Sequence, residues 1–190
     1  MLGGLIRTMR PKQWFKNVFV FAPLIFDEKL FQPRYVLPTV AGFVLLCLTS
    51  GTVYIINDLA DIDKDRNHPK KRHRPLAAGE LSVGAARGAA VLIPLVALPL
   101  GFLLDVWLGG ILTAYLFLQI GYSFWLKNFV IIDVMIVASG FLLRVAAGVP
   151  LVEAERFSPW LYVCMMLLAL LSGFGKRRHE MVLLKEGAAG

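Results

Sequence analysis

The sequence predicts an all-α fold, a polytopic bundle of transmembrane helices. Hydrophobic residues make up 57% of the 190 residues, charged residues only 17%, and the mean hydropathy is +0.67. This composition is typical of membrane proteins and excludes an ordinary soluble domain. Several apolar runs are each close to the ~20 residues that a helix needs to cross a bilayer. They cover residues 36–56, 88–104, 106–126, 129–152 and 157–175.

The first element is a basic segment, residues 1–16, in which apolar and basic residues alternate loosely. This pattern favours an interfacial helix on the cytoplasmic leaflet. Arg10, Lys12 and Lys16 would then lie close to the headgroups, where they either steer anionic substrates or anchor the helix. The next apolar run, 17–26, is short and contains a proline, and it reaches a spanning length only by extending to Phe31 past three charged residues.

The placement of Lys and Arg decides whether residues 17–31 cross the membrane. Sixteen of the 20 Lys and Arg residues lie in the N-terminal segment, in residues 58–87, at Lys127 and in the tail at 176–190. By the positive-inside rule these segments are cytoplasmic, and two crossings must then separate the first two. We therefore expect one membrane domain with six transmembrane helices within 17–175 and both ends cytoplasmic. Topology and anionic lipid explain the net charge of +7 without nucleic acid.

Clustered aspartates follow the second predicted helix, in N-D-L-A-D-I-D-K-D at 57–65. On a helix, Asp58, Asp61 and Asp65 share one face, with Asn57 beside them. Like charges on one face repel each other, and a divalent cation would remove that repulsion. Carboxylates suit Mg²⁺ or Mn²⁺, and Mg²⁺ is usually held by one or two carboxylates together with substrate phosphates. The cluster therefore indicates a metal-bridged polyphosphate, the alternative being a solvated loop.

Basic residues follow these aspartates directly, in R-N-H-P-K-K-R-H-R-P-L-A-A-G at 66–79. Arg offers bidentate contacts to phosphate and Lys a point charge, so both are expected beside a metal–phosphate site. A cytoplasmic loop that only enforces topology would be equally basic, and some residues can do both. The substrate contacts expected in this loop are Arg66, Lys70, Arg72 and Arg74.

Two charged residues lie inside the fifth predicted span. Asp133 is near its cytoplasmic end, and Arg144 is about three turns further along. Ionisable residues within a membrane span are costly and indicate function. Asp133 is close enough to the cytoplasmic end to join the aspartates. Arg144 either takes part in the site or pairs with Glu153 or with an acid on a neighbouring helix.

The motif N-D-x-x-D-x-x-x-D after the second transmembrane helix resembles the first aspartate motif of the UbiA superfamily of intramembrane prenyltransferases. More narrowly, the chain is similar to the branch that transfers phosphoribose to decaprenyl phosphate. In place of a second Asp-rich motif the chain has basic residues, which favours this branch. The similarity covers the whole chain and rests on R-P-K-Q-W-F-K-N at 10–17, residues 57–79, Y-S-F-W-L-K-N at 122–128, G-F-L-L-R-V-A-A-G at 140–148 and G-K-R-R-H-E at 175–180.

This resemblance implies an enzyme of the plasma membrane that transfers a 5-phosphoribosyl group from phosphoribosyl pyrophosphate to a polyprenyl phosphate, in the synthesis of a cell-wall arabinose donor. It implies that the catalytic motif Asn57, Asp58, Asp61 and Asp65 holds Mg²⁺ through its three aspartates. Mn²⁺ is an alternative metal. Further substrate contacts implied by the resemblance are Tyr122, Lys127, Asp133, Lys176 and Arg177, the last two binding a phosphate where ordinary members carry a second aspartate cluster.

Two other functions stay open. A prenyltransferase would move a polyprenyl group from its diphosphate to an aromatic acceptor, and a second aspartate cluster would favour it. The other is a non-catalytic membrane binding protein or transporter, and broken helices with paired small-residue interruptions would favour it. Superfamily members usually have about nine transmembrane helices, so six imply either a fragment or an open side that another copy of the chain covers.

Overall fold

The computed structural model describes residues 2–124, 130–153 and 159–187. Within these ranges all regular structure is helical and no β-strand occurs, so the prediction of an all-α fold is confirmed. The elements are α1 (Leu2–Thr8), a 3₁₀ segment (Pro11–Phe21), α2 (Ala22–Phe26), α3 (Pro33–Ala60), α4 (Ile62–Arg66), a 3₁₀ turn (Lys71–His73), α5 (Val83–Leu104), α6 (Val106–Phe124), α7 (Val130–Ala146), α8 (Val149–Val152) and α9 (Pro159–Gly187).

Most of the predicted spans correspond to long helices. By length and composition, four stretches of the described residues can cross a membrane: Pro33–Ala60, Val83–Leu104, Val106–Phe124 and Ile132–Val152. At ~1.5 Å per residue, the shortest of them extends about 28 Å. The predicted sixth span contains a shorter apolar helix, Tyr162–Gly175. The α9 helix continues past this stretch to Gly187, so the predicted tail at 176–190 begins as part of a helix.

The first predicted span, residues 17–31, differs from the expectation because it is not one long helix. Its start belongs to the 3₁₀ segment Pro11–Phe21, α2 adds one more turn, and a turn follows with Glu28 at a φ of 56°. A 3₁₀ helix rises ~2.0 Å per residue against ~1.5 Å for an α-helix. Placed end to end, the 3₁₀ segment and α2 extend about 30 Å, the thickness of the hydrocarbon core.

The central helix of the bundle is α3, which packs against α5, α6 and the 3₁₀ segment, while α7 packs against α9 and the 3₁₀ segment. Close approach at glycine supports this packing. A Cβ at Gly42 would lie 2.5 Å from Cδ1 of Leu151, so no larger residue fits there without movement. Helices in lipid gain little from hydrophobicity when they associate, and small residues let their backbones come close enough for dispersion and hydrogen bonds.

Residues 61–82 form a folded cap over the C-terminal end of α3. Leu76 and Leu81 from this segment are buried in one cluster with Met9, Ile55 and Ala86. The short α1 helix is held against the same segment by an ion pair between Arg7 and Glu80. The loop that follows the aspartate motif therefore has its own apolar core, and it is not merely a solvated connection.

Candidate active site

A buried pair of carboxylates lies at the C-terminal end of α3, together with two arginines. Asp58 and Asp65 are each 2% exposed. Nη1 of Arg74 donates to Oδ1 of Asp58 at 3.1 Å and to Oδ2 of Asp65 at 2.6 Å. Nη2 of Arg10 donates to the same Oδ1 of Asp58 at 2.6 Å. These four residues form the aspartate–arginine cluster, in which each buried carboxylate has the cationic partner that burial requires.

Arg10 is a member of this site that the sequence analysis named only beside the headgroups and did not assign to the aspartates. Its backbone is left-handed, with φ 54° and ψ 65°, a conformation that is uncommon for a residue other than glycine and indicates a local constraint. Its guanidinium carbon lies 4.8 Å from the centre of the Tyr54 ring, one turn before Asp58 on α3. The residues 10–17 stretch was the only sequence signal, and nothing in it separates Arg10 from its basic neighbours.

The aspartate motif does not lie on one continuous helix, as the sequence spacing assumes. Helix α3 ends at Ala60 and is capped by Asp61, which is partly buried and whose N–H donates to the carbonyl of Asn57 at 3.0 Å. The chain turns there into α4, and this turn brings Asp65 beside Asp58 on Arg74. Asp63 is exposed and pairs with a neighbouring arginine.

The donor chemistry of the buried pair fits a divalent cation. Asp58 and Asp65 direct one oxygen each at a single cationic nitrogen of Arg74, so their negative charges converge on one position. Mg²⁺ is commonly held by one or two carboxylates, with phosphates of a substrate completing its shell. No group of three or more His, Cys, Asp or Glu side chains within the described ranges is close enough to hold a metal ion by itself. Asp61 as a third ligand stays a prediction.

The predicted basic contacts are distributed unequally around this pair. Arg74 reaches both carboxylates, whereas Arg66, Lys70 and Arg72 are exposed on the cap, and Lys12 is exposed on the 3₁₀ segment. Tyr122 and Asp133 meet across α6 and α7, where the Tyr122 hydroxyl donates to Oδ1 of Asp133 at 2.5 Å. Asp133 is only 8% exposed. The remaining predicted contacts are Lys127, Lys176 and Arg177. Lys127 lies outside the described residues, and so do the side chains of Lys176 and Arg177.

Arg144 lies in a buried polar network below the cluster. Its Nε donates to Oδ1 of Asn17 at 2.9 Å, and its Nη2 donates to the Tyr115 hydroxyl at 2.7 Å. The amide of Asn17 in turn donates to Oγ of Ser50 at 3.1 Å. Asn17 and Tyr115 were not selected from the sequence, because a single Asn or Tyr in an apolar run carries no periodic signal.

The sequence offered Glu153 as an alternative partner for Arg144. In the structure Glu153 lies instead beside Arg34, with 3.4 Å between Oε1 and Nη2. Among the described residues no carboxylate pairs with Arg144, although it is only 7% exposed. The buried guanidinium is therefore held by neutral groups, and its positive charge is not compensated by these contacts.

A cavity of about 130 Å³ lies between the 3₁₀ segment, α3, α6 and α7. Its lining includes Tyr54, and Arg10 of the aspartate–arginine cluster lies over the ring of this residue. Its lining mixes polar and apolar side chains, and two of the lining residues are the cations Lys16 and Arg144. We call it the polar cavity, and its lining residues are Lys16, Ser50, Val53, Tyr54, Tyr115, Gln119, Val137, Phe141 and Arg144. A second hollow of about 260 Å³ shares Lys16 and Phe141 with this cavity and is otherwise apolar. We call it the apolar groove, and its remaining lining residues are Phe15, Phe19, Met165, Leu168 and Ala169.

Comparison with known proteins identifies the family of the chain. Residues 18–175 match the UbiA prenyltransferase family. The chain is 39% identical over 187 residues to a decaprenyl-phosphate phosphoribosyltransferase of Corynebacterium glutamicum, covering 96% of this chain and 56% of that protein. A protein of the same name from Mycolicibacterium smegmatis is 35% identical over 198 residues, covering 100% of this chain and 60% of that protein.

A solved structure, a UbiA homolog from Archaeoglobus fulgidus bound to DMAPP and Mg²⁺, superposes with a TM-score of 0.71 at 20% identity. The superposition covers 87% of this chain and 60% of that chain, and it shows that the fold is shared. The chain thus spans little more than half the length of the relatives it matches. Because the family match covers residues 18–175, most of the chain, the chain belongs to the UbiA prenyltransferase family.

Proposed function

We propose that the protein transfers a 5-phosphoribosyl group from phosphoribosyl pyrophosphate to a polyprenyl phosphate, in a reaction that depends on Mg²⁺. The relatives at 39% and 35% identity are named for this activity with decaprenyl phosphate. One structural observation carries the proposal. The buried Asp58 lies one turn along α3 from Tyr54, which lines a cavity that also includes Lys16 and Arg144 and no carboxylate. The reaction joins two anions, a diphosphate that suits a metal and a phosphate monoester that suits cations, and this arrangement offers a place for each.

In the aspartate–arginine cluster, the aspartates and the arginines have different roles in binding the donor, phosphoribosyl pyrophosphate. Asp58 and Asp65 would hold Mg²⁺, which when bound neutralises the charge of the pyrophosphate leaving group. Arg10 and Arg74 lie within hydrogen-bond distance of these carboxylates and can turn to the oxygens of an incoming diphosphate, to which Arg binds well. On α6 and α7, the hydrogen bond from the Tyr122 hydroxyl to Asp133 holds one further polar group in place for the donor.

The acceptor needs positioning more than activation. A phosphate oxygen of the lipid forms the new bond to the anomeric carbon while the bond to pyrophosphate breaks, so the anomeric configuration inverts. Because this oxygen is already ionised at pH 7, no strong general base is required. The chain's cations need only hold two anions in line at short distance, which is where most of the rate gain of such a site originates.

The proposed place of action is the cytoplasmic side of the plasma membrane, with residues 1–190 as one membrane domain. This proposal is supported by the sixteen Lys and Arg residues that the topology assigns to that side. Phosphoribosyl pyrophosphate is soluble and polyprenyl phosphate is a membrane lipid, so a site at the cytoplasmic end of a helical bundle meets both. The product would be a precursor of a cell-wall arabinose donor.

The test is an assay of membranes that contain the chain, with radiolabelled phosphoribosyl pyrophosphate and polyprenyl phosphates of several lengths. We expect label in the lipid fraction that requires Mg²⁺ and the lipid phosphate, and that Asp58→Asn abolishes. The structural relative that binds DMAPP favours a prenyltransferase as the second candidate. That candidate predicts transfer from a polyprenyl diphosphate to an aromatic acceptor, and such transfer without any labelling from phosphoribosyl pyrophosphate would contradict our proposal.

A further inference from the structure

Three side chains that line the polar cavity, those of Tyr54, Gln119 and Arg144, have hydrogen-bond donors without an acceptor among the described residues. A guanidinium carries five N–H donors, and Arg144 uses two of them, on Asn17 and on Tyr115. The Tyr54 hydroxyl and the Gln119 side-chain amide line the same cavity and make no hydrogen bond to any described residue. The cavity therefore offers several donors to whatever occupies it.

Gly140 allows two of these donors to approach the same point. A Cβ at this position would lie 3.0 Å from Nε2 of Gln119 and 3.2 Å from Nη1 of Arg144. Lys16 adds a second cation to the lining, and none of the lining residues is acidic. Buried charges are normally paired, and the buried Arg144 guanidinium has no carboxylate partner among the described residues. The chemistry of the cavity is thus that of an anion site that needs no metal.

The surroundings of the cavity indicate which anion fits. The cavity volume of about 130 Å³ is several times the ~30 Å³ that one water molecule occupies in the liquid, so it has room for a phosphate group. The apolar groove shares Lys16 and Phe141 with the cavity, so the two spaces lie side by side, and a hydrocarbon chain can lie in the groove. A phosphate monoester with an isoprenoid tail uses both spaces. The 5-phosphate of the sugar donor would leave the groove without a partner.

We propose that the polar cavity is the acceptor subsite and that it binds the phosphate monoester of the lipid directly, through Lys16, Gln119 and Arg144, with the first isoprene units in the apolar groove. The inference rests on the proposed function and deepens it, because it assigns the two phosphorylated substrates to separate places. The diphosphate of the donor belongs to Asp58 and Asp65, and the acceptor lies one turn or more deeper in the bundle.

Direct binding tests this assignment without turnover. The full chain in lipid nanodiscs is titrated with a radiolabelled short-chain polyprenyl phosphate, in EDTA and without phosphoribosyl pyrophosphate. We expect saturable binding that Lys16→Met and Gln119→Leu each weaken about ten-fold or more, since each removes a hydrogen bond to a charged group. The corresponding polyprenol should bind weakly and equally to all variants. Lys64→Met, which changes an exposed lysine on α4, is the matched control and should bind like the unchanged chain.

Two results would overturn the assignment. One is equal affinity of the unchanged chain and both cavity variants for the lipid phosphate. The other is weakened binding of phosphoribosyl pyrophosphate in these variants with lipid binding intact, which would give the cavity to the donor's 5-phosphate. Tyr54→Phe removes one hydroxyl without changing the packing, so it supplies a weaker version of the same test if the other variants unfold. Lipid binding that holds while phosphoribosyl transfer fails would refute the proposed reaction and leave the subsite standing.

Discussion

Removing the guanidinium of Arg74 tests whether the two buried carboxylates depend on their arginines. One nitrogen of Arg74 holds both acids, at 3.1 and 2.6 Å, and Asp58 keeps Arg10 when Arg74 is lost, but Asp65 keeps no cation among the described residues. Breaking a buried ion pair by removing one partner costs about 3–5 kcal/mol. Because the Arg74 side chain is 27% exposed, we expect the lower end, about 3 kcal/mol. For a chain of this size that lowers Tm by roughly 6–12 °C.

The measurement is thermal unfolding of the metal-free chain in detergent or nanodiscs, comparing Arg74→Met with Arg72→Met. Arg72 is an exposed neighbour in the same cap, and its substitution should change the free energy of unfolding by no more than about 0.5 kcal/mol. Adding Asp65→Asn to Arg74→Met should restore part of the loss, because the unpaired charge is then gone. Equal Tm values for the two single variants would refute the view that the acids are buried and paired.

Four further predictions concern activity and topology. Asp58→Asn should abolish phosphoribosyl transfer without unfolding the chain, since Arg74 still pairs with Asp65, and unchanged activity would mean that the motif is structural. In a chain lacking its native cysteines, an impermeant thiol reagent on the periplasmic side should label Leu30→Cys but not Gly3→Cys, and the opposite labelling would invert the topology. Arg177→Ala should raise the KM of one phosphorylated substrate about ten-fold, because a hydrogen bond to a charged group is worth about 1.5–3 kcal/mol; unaltered kinetics would leave this residue as a topology signal. Gly140→Ala should weaken lipid phosphate binding several-fold in the nanodisc titration with little change in Tm, and unaffected binding would contradict the convergence of donors there.

The sequence locates the long helices well because a run of about twenty apolar residues has few alternatives to a membrane span. At residues 17–31 it predicts a span but not the conformation of that span, because a window built for α-helical rise cannot recognise a 3₁₀ segment, which reaches further with fewer residues. It also assumes that helical spacing continues past Asp61. Spacing arguments hold only within one element, and the break between α3 and α4 replaces a shared face with a convergence on Arg74.

The partners of the charged residues are the part of the site that one sequence does not reveal. Arg10 and Asp58 are 48 positions apart, and Arg144 and Asn17 are 127 apart. Such pairs arise from the packing of the 3₁₀ segment against α3 and α7, which no local pattern encodes. Charge inside a span drew attention to Arg144, but its neighbours proved to be neutral side chains rather than the acid Glu153.

The 3₁₀ geometry of Pro11–Phe21 has a consequence for chain length. Three residues make one turn, so side chains three apart stack along one edge of the segment. One edge is buried in the bundle (Asn17 and Val20), one faces outward (Phe15 and Val18), and the third carries Lys16 into the polar cavity. Inserting one residue near the start of the segment would rotate all three edges by a third of a turn. The side chains that face the lipid, the core and the cavity would then exchange places. Inserting three would restore the assignment one turn further along, so this segment tolerates changes of length only in steps of three.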